Sequence, residues 1–215
     1  MNPLQNRHLY LCVGLRSDMR TFLPDVLRGG VDVVQLREKV VPHEHQVEGA
    51  LEMLTLCRDF GVPFIINDSA SLAAQVGADG VHVGQDDTSV SYCRELLGPS
   101  AIIGLSTHAT DEFTAGLNEE ATYLSAGPIV STPTKPGREG TGLQYAVASQ
   151  LRSDRPVFVT GGVDQTNIAS LVEEGLRHFV VVRALTETAT PYESARAIRQ
   201  HLDEALSAVS VKPAE

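Results

Sequence analysis

The chain has 215 residues, of which 42% are hydrophobic and 20% charged, enough apolar residues to bury one core of the larger single-domain size. Its 27 acidic residues outnumber the 17 basic ones, for a formal charge of −10, which argues against nucleic acid or an anionic membrane surface as partner. Three widely spaced cysteines, Cys12, Cys57 and Cys93, form no CxxC pair, the first residues lack the apolar core of a signal peptide, and no run approaches the ~20 apolar residues of a membrane span. These features predict a soluble cytoplasmic protein with buried, reduced thiols.

In chain order, short β-branched runs recur: LYLCV (9–13), VDVVQL (31–36), PFII (63–66), GVHV (80–83), AIIGL (101–105), TYLSA (122–126), PVFVT (156–160) and HFVVV (178–182). Helical patterns lie between them, such as 45–60, where Val47, Leu51, Leu54 and Arg58 recur at helical spacing, and 195–208 near the end. Eight strand-and-helix units in this length predict a single (β/α)8 TIM barrel over residues 1–215, with a flexible tail from about residue 210. An open doubly wound sheet is the weaker alternative, because no GxGxxG follows the first strand.

In such a barrel the active site sits where strands run into the following helices, so the strand ends carry the functional information. In QLREK the two-residue strand period puts Gln35, Arg37 and Lys39 on one side, with Leu36 and Glu38 on the other, suiting an anion site. Asn67 and Asp68 end the third run, and Asp86 and Asp87 follow the fourth. Adjacent strands are about 4.8 Å apart, so carboxylates from both can reach one Mg²⁺; a helix N-cap role for Asp68 or Asp87 is the competing reading. His82 alternates with Val81 and Val83 and is expected inside the barrel as a hydrogen-bonded residue, whereas His43 and His45 are read as members of a polar turn. Gly161 and Gly162 end the seventh run, and Val182 and Arg183 the eighth, where barrels commonly bind phosphate. The stretch STPTKPGREGTG (131–142) reads as a donor-rich loop, with a lid role as its sharper interpretation. GxSxG, GxxxxGK[ST] and HExxH are absent, which argues against acyl transfer and P-loop nucleotide hydrolysis.

QLREK, IND, GVHVGQDD, GLSTH, GPI with TPTKPGR, the GG pair and VVRAL occur in the order and spacing of the thiamine-phosphate synthase family, which the chain resembles from about Leu9 to its last helix. The resemblance implies a transferase that condenses a hydroxymethylpyrimidine diphosphate with a thiazole phosphate, with Mg²⁺ and release of pyrophosphate. It implies that Gln35, Arg37, Lys39, Asn67 and Lys135 hold the pyrimidine diphosphate, Asp68 and Asp87 hold the metal, and Ser106 lies beside the reacting pyrimidine. It assigns the thiazole phosphate to Thr132, Thr134, Gly162, Val182 and Arg183. The implied mechanism is dissociative: pyrophosphate departs beside Arg37, Lys39 and Lys135, and the thiazole nitrogen traps the cation under the closed 131–142 loop. Arg183, Ser131 and Ser69 stand where serine, proline and arginine are frequent in the family. A thiazole tautomerase using His108, or a non-catalytic barrel binding thiamine precursors, are the alternatives. The expected partners are small molecules, and homo-oligomerisation is left open.

Overall fold

The computed structural model describes residues 2–132 and 139–211. Among the described residues the chain forms a closed parallel barrel of eight strands in sequence order, β1-β2-β3-β4-β5-β6-β7-β8, and nine helices. The elements are β1 (Leu9–Val13), α1 (Met19–Arg28), β2 (Val33–Leu36), α2 (His43–Asp59), β3 (Phe64–Asn67) and α3 (Ala70–Val76). They continue with β4 (Gly80–Val83), α4 (Val90–Leu97), β5 (Ile102–Thr107), α5 (Thr110–Gly116) and β6 (Tyr123–Ala126). The last are α6 (Leu143–Leu151), β7 (Val157–Val159), α7 (Ile168–Glu173), β8 (His178–Val181), α8 (Arg183–Thr186) and α9 (Pro191–Val211). Each of the eight expected runs contains a strand, and β5 extends two residues further, through Ser106 and Thr107.

Strand periodicity sorts the residues onto two surfaces. Leu9, Leu11 and Val13 of β1, Val34 and Leu36 of β2, and their counterparts around the barrel join the large apolar layer beneath the helices. The alternate positions face inward: Tyr10, Val33, Ile65, Ile102, Tyr123 and Phe158 form a separate inner cluster sealed below by Leu4. Register keeps these sets together, pairing Tyr10 with Val33, Gln35 with Ile65, His82 with Gly104 and Ser106 with Ser125. The inner cluster is therefore a plug of aromatic and aliphatic groups, above which the same strands present polar residues.

Two glycines set this interior. A Cβ at Gly80 would overlap the Ile102 carbonyl, and one at Gly104 would overlap both Tyr123 and His82 Nδ1. The two rings therefore approach to 5.4 Å between centroids, stacked at 27°. Helix α2 corrects one expectation. Its buried residues are Ala50, Met53, Leu54 and Cys57, whereas Leu51 is exposed and Arg58 reaches out to the Gly77 carbonyl. The i, i+4 stripe through Val47 and Leu51 drifts off the packed face, which follows 50-53-54-57. His43 and His45 lie in the first turn of this helix instead of in a turn before it.

The three cysteines are buried and form no disulfide among the described residues, and burial pushes the Cys57 thiol up to about 12. Among the described residues, no helix is long and apolar enough to cross a membrane. The expected tail from about residue 210 meets the end of α9 at Val211, and residues 212–215 lie outside the described residues.

Candidate active site

At the carboxyl ends of the strands, a cavity of about 940 Å³ opens above the aromatic plug. Gln35, Arg37, Lys39, Asn67, Asp68, Asp87, Ser106, Thr132, Gly162, Val182 and Arg183 all line it. Residues that the sequence reading distributed over seven strand ends thus meet in one space. Thr134 and Lys135, also expected there, lie outside the described residues.

The floor is a hydrogen-bonded chain. Cys12 Sγ donates to Gln35 Oε1 at 3.2 Å, and Gln35 Nε2 donates to Tyr10 Oη at 2.9 Å. The Tyr10 hydroxyl lies 2.9 Å from that of Tyr123, which lies 2.8 Å from His82 Nδ1, and His82 Nε2 is 2.8 Å from Ser106 Oγ. His82 is inside the barrel and hydrogen-bonded, as its alternation predicts. Desolvation raises the pKa of both tyrosines, so both phenols are protonated. Gln85 Nε2 donates to the Ser106 carbonyl at 2.7 Å and fixes its backbone.

The walls carry charge. Arg37 is half-buried, and among the described residues neither it nor Arg183 has an ion pair with a carboxylate, whereas Lys39 Nζ lies 3.0 Å from Asp68 Oδ2. Glu38 points the other way, as expected, accepting from the main-chain N–H groups of Leu15, Lys39 and Val40. Burial alone would raise its pKa, but these amides together hold it below the usual carboxylate range.

The helix-cap reading of the two aspartates is overturned. Ser69 caps α3 by accepting from Leu72 N, and Ser89 caps α4 by accepting from Tyr92 N. A short hydroxyl at the residue flanking each helix wins the cap, leaving Asp68 and Asp87 in the preceding turns. Asp68 has φ +62, the left-handed region that a non-glycine residue enters at a cost. Asp87 Oδ2 accepts from Gly84 N at 2.7 Å.

This donor set fits Mg²⁺ in one particular way. Two carboxylates line the cavity from turns after adjacent strands, and each uses one oxygen on a protein donor. Among the described residues, no group of three or more His, Cys, Asp or Glu side chains could hold a metal. Mg²⁺ accepts one or two carboxylates and completes its shell with water and substrate phosphate, so a diphosphate would have to bring the remaining oxygens.

On the opposite wall, Gly161 and Gly162 have φ +95 and +76. A Cβ at Gly161 would meet Pro128, and one at Gly162 would meet Val130. Both glycines are therefore required by conformation and by packing under the 128–130 segment. The base of the neighbouring loop is closed by Gly140 N to Ser131 Oγ and by Thr141 N to the Pro128 carbonyl, at 3.1 and 2.7 Å. His108 lines the same wall, and its Nδ1 is bound to the Gly127 carbonyl.

Sequence reasoning left out several lining residues, including Tyr10, Tyr123, Ser125, Gln85, Thr160 and Asp164. Tyr10, Tyr123 and Ser125 share the inward strand parity of Gln35 and Ser106, a signal that was available. Asp164 lies beyond the strand-end glycines, where parity gives no guidance.

A family model described as thiamine monophosphate synthase matches residues 9–185. The thiamine-phosphate synthase of a Thermus thermophilus strain is 42% identical over 177 residues, covering 82% of this chain and 85% of that protein. That of a Synechocystis strain is 36% identical over 191 residues, 89% of this chain, which spans 56% of the longer relative. A solved structure, a thiamine phosphate pyrophosphorylase from Pyrococcus furiosus, superimposes with a TM-score of 0.84 at 24% identity, covering 93% of this chain and 96% of that one.

Proposed function

Since the chain belongs to the thiamine monophosphate synthase family and is a transferase, we propose that it joins a hydroxymethylpyrimidine diphosphate to a thiazole phosphate, releasing pyrophosphate. The observation that carries this reading is the half-buried Arg37 guanidinium, on the cavity wall beside Lys39 and without a carboxylate ion pair among the described residues. In a chain of net charge −10, which could readily supply a carboxylate, that leaves the guanidinium for an incoming anion.

In this reading the C–O bond between the pyrimidine methylene and the diphosphate breaks, and a C–N bond to the thiazole nitrogen forms. Arg37 and Lys39 bind the diphosphate and stabilise the charge that grows on it as it leaves. Asp68 and Asp87 would hold Mg²⁺ against the diphosphate oxygens, and the ion would neutralise charge on the leaving group when bound. Asn67 and Gln35 orient the pyrimidine half, with Ser106 beside it, and the apolar plug below keeps water from that side. Thr132, Gly162, Val182 and Arg183 receive the thiazole phosphate across the cavity. Thr134 and Lys135 keep the substrate-binding roles that the resemblance gives them. The cytoplasm, where three buried thiols stay reduced, is the compartment this chemistry fits.

The test incubates the purified protein with both substrates, with and without Mg²⁺, and measures thiamine phosphate and pyrophosphate. Equimolar, Mg²⁺-dependent formation of the two products is expected. Pyrophosphate release without thiamine phosphate, or no reaction with either divalent ion or chelator, would overturn the reading.

A further inference from the structure

We propose that the buried chain Gln35–Tyr10–Tyr123–His82–Ser106 runs in one hydrogen-bonding direction and makes the Ser106 hydroxyl a donor to the bound diphosphate substrate, with Tyr10, Tyr123 and His82 as positioning residues. The identity of the substrate rests on the reading above; the direction of the chain does not.

The direction follows from counting hydrogens with the Gln35 amide as placed in the structure, Oε1 toward Cys12 Sγ and Nε2 toward Tyr10 Oη. A glutamine amide nitrogen only donates, so Gln35 Nε2 fills an acceptor position on Tyr10 Oη. Tyr10 must then place its own hydrogen elsewhere, and the Tyr123 hydroxyl at 2.9 Å is its acceptor. Tyr123 in turn donates to His82 Nδ1 at 2.8 Å, so the ring carries its hydrogen on Nε2 and donates to Ser106 Oγ at 2.8 Å. Ser125 Oγ donates to the same oxygen at 3.4 Å. Ser106 Oγ thus receives two hydrogens, and its own is directed toward the cavity that it lines.

The opposite tautomer fails on the same count. A hydrogen on His82 Nδ1 would turn the Tyr123 hydroxyl toward Tyr10, whose oxygen already accepts from Gln35. The Tyr10 hydrogen would then turn away from the Tyr123 oxygen into the closed barrel interior beside Phe158, and a buried hydroxyl that gives up its oxygen acceptor is destabilised. Burial keeps both phenols protonated, so each is available to donate. Gly104 holds the geometry, because any side chain there would occupy the space between His82 and Tyr123.

The test reads the tautomer directly. In ¹⁵N spectra of the full chain with labelled histidine, the His82 signal is assigned by its disappearance in His82→Gln. A protonated Nε2 with an unprotonated Nδ1 is expected; a hydrogen on Nδ1 overturns the proposal, whatever the activity. In kinetics, His82→Leu should lower kcat by roughly 30-fold, with KM for both substrates within about threefold. His82→Gln, whose amide can still donate toward Ser106, should recover to within about fivefold of wild type. Wild-type kcat in His82→Leu overturns the positioning role. Should that variant not fold, Tyr123→Phe takes its place: a kcat about fivefold lower with an altered Nδ1 signal supports the chain, and no change in either overturns it. A wild-type protein with the expected tautomer but no thiamine phosphate formation would refute the synthase reading and leave the hydrogen-bond direction standing.

Discussion

At the lower mouth of the barrel, Asp32 accepts from the main-chain N–H groups of His8 and Leu9 and pairs with Arg199 at 2.8 Å. At the upper mouth, Asp68 and Asp87 each hold one protein donor, and among the described residues Arg37 and Arg183 have no carboxylate partner. The same contrast runs through the arginines. Arg155 donates to the carbonyls of Glu119, Ala121, Gly116 and Leu117, and Arg94 to those of Gly98, Pro99, Ala101 and Glu120, tying loops below the barrel. Both ends therefore use the same residue types, and what separates them is how fully the protein satisfies each group. Saturated groups hold the fold; undersaturated ones, bordering a cavity, are available to ligand.

The largest effect should come from breaking the upper mouth. Asp87→Ala is expected to lower kcat/KM by about 10³, equivalent to ~4 kcal/mol, while the thermal midpoint moves by no more than about 2 °C. Steady-state kinetics at several Mg²⁺ concentrations with a parallel melt checks it, and a large fall in the midpoint would mean that this carboxylate belongs with the structural set.

Breaking the lower mouth should do the reverse. Asp32→Ala leaves the half-buried Arg199 without its buried partner and two main-chain N–H groups without an acceptor, for a loss of about 3 kcal/mol in urea unfolding. The kcat of the protein that remains folded should be unchanged.

A pH series sharpens the contrast from the same end. His178 is buried, stacked on His8 at 5.2 Å, and bound through Nδ1 to the Arg7 carbonyl. Burial, the largest influence, lowers its pKa from 6.5 to about 4. Below pH 6.5 the unfolded chain takes up a proton that the folded chain refuses. Stability should therefore be flat above that pH and fall by up to ~3 kcal/mol as pH drops toward 4. His178→Asn, whose amide can still donate to Arg7, should flatten this limb; an unchanged slope in denaturant melts between pH 6.5 and 4.5 would assign the titration elsewhere.

The smallest expected effect separates the two halves of the upper mouth. Arg183→Ala should raise KM for the thiazole phosphate about tenfold, ~1.4 kcal/mol, and leave KM for the pyrimidine diphosphate within a factor of two. Equal changes in both would merge the two subsites.

Much of this was legible before folding. Strand parity put Gln35 on the side of the cavity, and the same alternation carried past the end of β2, together with the position at the strand-end rim, grouped Arg37 and Lys39 with it and Glu38 apart. The same rule put His82 inside. Parity stops at the end of a strand, and the caps of α3 and α4 show it: Ser69 and Ser89 take them, a choice between neighbouring polar residues made by the turn that delivers the chain to the helix. The buried face of α2 was likewise misjudged at Leu51, because several stripes fit one helical period and only the barrel surface selects among them.

Local order along the chain, set by side-chain alternation and by glycine and proline at the turns, determined the eight strands, their sequence of pairing and the polar residues at their ends. Closure decided the rest. Tyr10 and Tyr123 are 113 positions apart, and His82 and Ser106 are 24 apart. Their joining into one hydrogen-bonded floor depends on barrel register and on the absence of a side chain at Gly104. No local rule specifies which inward-facing groups will touch across a closed sheet, because that distance is set by how all eight strands stagger together.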